Sequence, residues 1–215
     1  MNEVLRGELI LAIELFIIFI LPILLLRFWI IPFRYRLHLL AGVTIATILT
    51  VILNKWPPLA IGINLQNPFE YFTEYLIFTI ICAAILASAL KCRKEVRDLK
   101  PKIRPIFGSI AQEFLYRGFL FYMLSRFTSS PYIIVFTSAI LFTVVHIIYL
   151  NKPIDLIIVF IGGIALSTMY WFYPNLILMS IAHIVFNYIA ISNGYYTEER
   201  LKATEAKIAG AKISS

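Results

Sequence analysis

Two charged side chains interrupt an apolar stretch, AQEFLYRG at residues 111–118, and their types and spacing suit chemistry. Glu113 and Arg117 are four residues apart, so on a helix they share one face and can form an ion pair. Gln112 lies about 100° around the helix from Glu113, where it can face a neighbouring helix. Removing ionisable groups from water is costly, so their presence here predicts a functional site.

Two further apolar stretches carry imidazole groups. FTVVH, residues 142–146, ends in His146, and HIVFN, residues 183–187, places His183 and Asn187 four residues apart on one helical face. Together with the carboxylate and the guanidinium, these groups suit hydrolysis, because they supply a general base and donors for an oxyanion. Zinc binding by the two histidines and the glutamate is an alternative, although the sequence has no HExxH motif. No cofactor is predicted.

The composition is that of a membrane protein. Hydrophobic residues make up 60% of the 215 residues, charged residues make up 14%, and the mean hydropathy is +0.86. Soluble domains contain about 45–50% apolar and about 25% charged residues. We predict a single transmembrane domain at residues 1–192, with a motif-bearing core at 105–192, followed by a polar tail at 193–215.

The apolar stretches predict an all-α, polytopic transmembrane helical bundle, since a spanning helix needs about 20 apolar residues. The first stretch is too long for a signal-peptide core and is predicted to be a retained span. About seven spans are expected, at residues 9–32, 37–53, 74–90, 105–126, 131–149, 154–172 and 175–192.

The positive charges predict the orientation of the bundle. With the N-terminus outside and the C-terminus inside, most of the 19 Lys and Arg residues lie in inner loops, as the positive-inside rule requires. The densest group, KCRKEVRDLKPKIR at residues 91–104, suits contact with anionic lipid head groups. The net charge of +7 is therefore a signal of topology, and no nucleic-acid partner is predicted. The protein is expected to be a multi-pass integral membrane protein.

The polar residues lie at similar depths in this topology. At 1.5 Å per residue, Glu113 lies about 12 Å from the inner edge, His146 about 5 Å, Asn187 about 8 Å and His183 about 14 Å. They are therefore expected to share one chamber that faces the cytoplasmic half of the bilayer. The alternative is that each residue only fixes helix packing. Transport is disfavoured, because it needs a polar path across the whole bilayer and the outer halves of the spans are too apolar for one.

The three motifs resemble the CPBP or Abi family, which contains the type II CAAX prenyl endopeptidases. The family signature is EExxxR, FxxxH and HxxxN, each on its own transmembrane helix. The sequence has QEFLYR at residues 112–117, FTVVH at 142–146 and HIVFN at 183–187, in that order. The resemblance covers about residues 105–192.

The resemblance implies an intramembrane glutamic peptidase fold and gives each motif residue a role. Gln112 and His146 occupy the positions that activate a water molecule. Glu113 and Arg117 occupy those that support the site and help to hold substrate. The positions of His183 and Asn187 form an oxyanion hole. The implied substrate is a peptide bond near the C-terminus of a membrane-associated protein or lipopeptide, such as a prenylated CAAX-type protein.

Gln112 departs from the family pattern, because a glutamine replaces the first motif glutamate. A glutamine side chain keeps the shape of glutamate but cannot accept a proton as a base. Three interpretations follow: an engineered, inactivated variant; a natural member without protease activity; or an enzyme that works with Glu113 and His146. A non-catalytic membrane scaffold or chaperone that binds a partner in the same chamber is the alternative function.

Overall fold

The long apolar runs of the sequence form helices, which satisfy every backbone polar group within the segment as a lipid environment demands. The computed structural model describes residues 3–28, 30–90, 103–148, 153–193 and 206. These residues are predominantly helical and include no β-strand. The predicted all-α class is therefore confirmed for this part of the chain.

The described residues form nine α-helices, two π-helical segments and two short 3₁₀ turns. The α-helices are α1 Glu3–Leu15, α2 Leu21–Arg27, α3 Arg36–Leu53, α4 Phe72–Leu90, α5 Ile103–Glu113, α6 Leu120–Ser125, α7 Pro131–His146, α8 Pro153–Phe172 and α9 Leu176–Ser192. The π-helical segments, Phe16–Ile20 and Phe114–Phe119, join α1 to α2 and α5 to α6. The 3₁₀ turns are Phe33–Tyr35 and Pro58–Ile61.

Four helical stretches of the described chain are long and apolar enough to cross a membrane by length and composition. They are Leu9–Arg27, Phe33–Leu53, Phe72–Leu90 and Pro153–Phe172. The helices Pro131–His146 and Leu176–Ser192 are apolar but shorter. The full count of seven spans and the orientation of the termini stay predictions. The basic residues 91–102 and the tail after residue 193, apart from residue 206, lie outside the described residues.

Two local features differ from the expected spans. The first predicted span ends at Arg27 rather than at residue 32, and the described residues between Arg27 and Pro32 are not helical. The helix that carries the glutamate is π-helical over Phe114–Phe119, where the Leu120 N–H donates to the carbonyl five residues back, at Leu115. Such π segments often occur at functional sites.

Close packing of α7 against α8 depends on a glycine. A Cβ added at Gly163 would lie 3.3 Å from both Ala139 Cα and Phe142 Cδ1. Small residues at such contacts let membrane helices approach each other closely. Ser167 Oγ also donates to Ser138 Oγ, at 3.2 Å, and Ser138 Oγ donates to the Tyr116 carbonyl, at 3.1 Å, so α8 and α7 are both linked to the π-helical segment.

The loop between α3 and α4 is fastened to the turn between α8 and α9. The buried Asn175 donates to the carbonyls of Pro68 and Glu70, at 3.0 and 2.9 Å. Its side-chain oxygen caps α9 by accepting from the Leu178 N–H, at 3.0 Å. The Leu176 N–H donates to the Gly62 carbonyl, at 2.8 Å. These bonds fix one end of the bundle, two turns of α9 before His183.

The glycine pair at residues 162 and 163 provides a matched test of the α7–α8 contact. Gly163→Ala is expected to lower the free energy of unfolding by about 1–3 kcal/mol, because the methyl group overpacks the contact. Gly162→Ala has nothing within 4 Å of its added Cβ and is expected to be neutral or stabilising. Unfolding in detergent micelles by added SDS measures both. Equal effects of the two substitutions would contradict the close contact.

Candidate active site

Glu113 is the centre of the polar residues in the bundle. It ends α5, is fully buried, and its Oε1 receives Arg117 Nη1 at 3.1 Å and His183 Nδ1 at 2.5 Å. The spacing of four residues predicts the contact with Arg117, and the contact with His183 joins α5 to α9. One carboxylate oxygen therefore holds two of the three predicted motifs together.

Arg117 extends this cluster to two more helices. It lies in the π-helical segment, is fully buried, and its Nη2 donates to the Gly163 carbonyl of α8 at 3.3 Å. Its guanidinium carbon lies 4.6 Å from the centre of the Phe142 ring of α7, a cation–π geometry. The guanidinium thus contacts a carboxylate, a backbone carbonyl and an aromatic face, which together offset the cost of burying its charge.

Phe142 brings His146 into the same group. Its ring centre lies 4.7 Å from that of His146 and 5.5 Å from that of His183. His146 Nδ1 lies 2.7 Å from the Phe142 carbonyl oxygen. A carbonyl oxygen only accepts hydrogen bonds, so this contact assigns the hydrogen to Nδ1 and makes Nε2 the acceptor nitrogen of the neutral ring.

Asn187 lies one helical turn further along the α5–α9 contact. Its Nδ2 donates to Ser109 Oγ at 2.8 Å. Ser109 precedes Glu113 by four residues and Asn187 follows His183 by four, so the antiparallel helices α5 and α9 pair twice in register. The half-buried Asn187 amide is held by one of its two hydrogens, which leaves the second as a donor.

Gln112 stands apart from this network. It is half-buried on α5, and its amide makes no hydrogen bond with the described residues. Five of the six predicted site residues are thus connected through Glu113, Phe142 and the α5–α9 contact. The sixth lies beside Glu113 in the chain but makes no hydrogen bond with the other five.

Three participants were not among the predicted site residues: Ser109, Phe142 and Gly163. Ser109 could have been found, because its spacing to Glu113 mirrors the spacing of His183 to Asn187. Phe142 is the first residue of the FTVVH motif, but no role was predicted for it. Gly163 acts through its backbone carbonyl, which every residue type has, so the sequence could not identify it as a site residue. The glycine itself suggests only close packing of helices.

The described residues contain no group of three His, Cys, Asp or Glu side chains that could hold a metal ion. Glu113 Oε1 accepts from an arginine and from a histidine nitrogen, so His183 directs Nδ1 to a carboxylate. Glu113 Oε2 and Arg117 Nε are buried and have no hydrogen-bond partner among the described residues. Buried polar atoms of this kind are rare, and they are polar groups that a water or substrate atom could satisfy.

Residues 103–189 match the family model described as type II CAAX prenyl endopeptidase, Rce1-like. The match confirms the family resemblance. It spans all three motifs and the whole polar cluster, from Ser109 to Asn187. The family is one of membrane proteases, and the match together with the apolar helices indicates an integral membrane protein. No curated protein and no solved structure matched the chain.

The buried ion pair predicts strong energetic coupling between Glu113 and Arg117. Glu113→Gln or Arg117→Met alone leaves an uncompensated charge in the core, and each is expected to lower the free energy of unfolding by about 3–5 kcal/mol. The double variant is expected to lose at least about 2 kcal/mol less than the sum, since neither charge remains.

Unfolding in detergent by added SDS measures this double-mutant cycle. Arg126→Met is the matched control, because Arg126 is exposed at the end of α6 and its replacement is expected to change stability by less than about 0.5 kcal/mol. Additive losses for the pair would contradict the coupling.

Proposed function

We propose that the chain is an intramembrane endopeptidase that cleaves a peptide bond near the C-terminus of a membrane-associated protein or lipopeptide. Substrates of the CAAX type, with or without a prenyl group, are the class that the family match suggests. The observation that carries the proposal is the convergence of all three motifs on one buried cluster, centred on Glu113. A packing role alone does not require an arginine and an imidazole on one buried carboxylate, with a second imidazole and an amide on the neighbouring contacts.

The proposed reaction is addition of water to the peptide carbonyl. The family pattern assigns His146 to the activation of the water, and the ring of His146 lies beside Phe142, which also contacts His183. Asn187 retains a second amide hydrogen, which can donate to the oxyanion that forms. The family pattern also assigns His183 to the oxyanion. The proposal requires no metal or cofactor.

The placement of the reaction follows the predicted topology. Substrate would enter from the cytoplasmic half of the bilayer, and lipids would surround the apolar outer faces, where Ile77, Ile81 and Ile85 of α4 are exposed. Protein and lipid are therefore the proposed partners, and nucleic acid is not.

Gln112 sets the expected level of activity. Its amide can hold a water by hydrogen bonds but cannot take a proton, so the chain must use another acceptor. We propose that the chain hydrolyses its substrate more slowly than a variant with glutamate at this position. The same residue favours the second candidate function, a non-catalytic scaffold or chaperone that binds a membrane-borne partner at the cluster.

Restoring the first motif glutamate is the test of this function. Gln112→Glu is expected to raise kcat by about 10²–10⁴-fold, the usual contribution of a positioned base, and adding His146→Ala is expected to remove the gain. The purified protein in detergent is assayed with quenched fluorescent CAAX-type peptides, with and without a prenyl group.

Gln66→Glu is the matched control, because Gln66 is exposed in the loop between α3 and α4 and the same charge change there is expected to have no effect. Cleavage only by the Gln112→Glu variant would identify the chain as a disabled peptidase. Absence of cleavage by every folded variant, across a panel of peptides, would favour the scaffold.

A further inference from the structure

We infer that His183, held by Glu113, is the proton acceptor in this chain, in place of the missing glutamate at position 112. This inference rests on the proposed peptidase function. It reassigns His183 from a donor to the oxyanion, its role in the family pattern, to the general base. Glu113 becomes the residue that positions this base.

The hydrogen-bond network assigns the tautomer of His183. Glu113 Oε1 accepts a hydrogen bond from Arg117, whose guanidinium can only donate. The same oxygen lies 2.5 Å from His183 Nδ1, so Nδ1 carries the hydrogen and Nε2 carries the lone pair. In the neutral ring, Nε2 therefore can accept a proton but has no hydrogen to offer an oxyanion.

The charges of the cluster favour this neutral ring. Glu113 and Arg117 are both fully buried and form one pair of opposite charges. With His183 neutral, the three side chains carry no net charge. An additional positive charge in the resting site would be buried without a second carboxylate among the groups that contact it, which is costly.

The two histidines differ in what supports them when they take a proton. His146 Nδ1 is directed to a neutral backbone carbonyl, whereas His183 Nδ1 is directed to a carboxylate. A carboxylate behind the ring holds the tautomer and stabilises the imidazolium, as in the aspartate–histidine pairs of serine proteases. His183 is therefore placed to accept a proton, and the family pattern places His146 at the water.

The inferred reaction balances without a further reagent. The water oxygen forms a bond to the peptide carbonyl carbon while one water proton moves to His183 Nε2. When the C–N bond breaks, that proton passes to the leaving nitrogen. The products are a carboxylic acid and an amine.

A comparison of His183→Asn in two backgrounds tests the inference. The asparagine amide can still donate to Glu113, so the carboxylate keeps a partner while the basic nitrogen is lost. In the unmodified chain, His183→Asn is expected to lower kcat by about 10²-fold or more with KM nearly unchanged. In the Gln112→Glu variant the new carboxylate is the base, and the same substitution is expected to lower kcat by about tenfold or less.

The tautomer supplies a readout that does not depend on activity. The chain has three histidines, so ¹⁵N-histidine spectra are simple to assign with His183→Asn and His38→Gln. His183 is expected to show a protonated Nδ1 and an unprotonated Nε2. His38 packs edge-on against Tyr35 and serves as the control, with unchanged activity expected for His38→Gln.

Loss of the carboxylate is expected to lower kcat of the unmodified chain by about tenfold or more and to weaken the preference for this tautomer. Glu113→Gln removes the carboxylate. If this single variant fails to fold, Glu113→Gln combined with Arg117→Met removes the carboxylate without leaving an uncompensated buried charge.

Each outcome decides between the roles. Equal losses on His183→Asn in both backgrounds, or a protonated Nε2, would return His183 to the oxyanion hole and overturn the inference. If the Gln112→Glu variant is active and the unmodified chain is not, the peptidase function of the site is supported. The role of His183 as the base of the unmodified chain is then overturned. Absence of cleavage in both backgrounds would refute the peptidase function, and with it the role of His183 as the base.

Discussion

The buried ion pair between Glu113 and Arg117 is the interaction on which the polar core depends. A carboxylate and a guanidinium that are both fully buried are removed from bulk solvent, so they need partners on neighbouring helices. Arg117 reaches α7 through Phe142 and α8 through the Gly163 carbonyl, and Glu113 reaches α9 through His183. Satisfying two charges therefore fixes the relative positions of four helical segments, and those same contacts assemble the candidate site.

The backbone around the pair is adapted to it. Arg117 lies in the π-helical segment, whose Tyr116 carbonyl is bound by Ser138 of α7. Gly163 allows α8 to approach α7 so closely that its carbonyl comes within reach of the guanidinium. The charge, the irregular helix and the small residue are thus parts of one arrangement.

The sequence predicted the helices better than the contacts between them. The apolar runs placed α3, α4, α7, α8 and α9 within a few residues of their observed bounds, because hydrophobic length determines a membrane helix. Helical spacing likewise predicted the pairing of Glu113 with Arg117. The contact of His183 with Glu113 could not be predicted from the sequence, since it depends on the register of two helices far apart in the chain. The π-helical segment and the Gly163 carbonyl were missed because they belong to the backbone.

Charge balance links the substitution at position 112 to the role of the last motif. A site with two adjacent carboxylates and one arginine carries an excess negative charge, which an imidazolium would neutralise, and an imidazolium donates from Nε2 as an oxyanion hole requires. With Gln112 the excess charge is gone, and Glu113 and Arg117 already balance each other. The ring of His183 is then favoured in its neutral form, with Nε2 as an acceptor. Removing one proton acceptor from the motif thus creates the conditions for another, since the same carboxylate that anchors Arg117 also holds His183 in the basic tautomer.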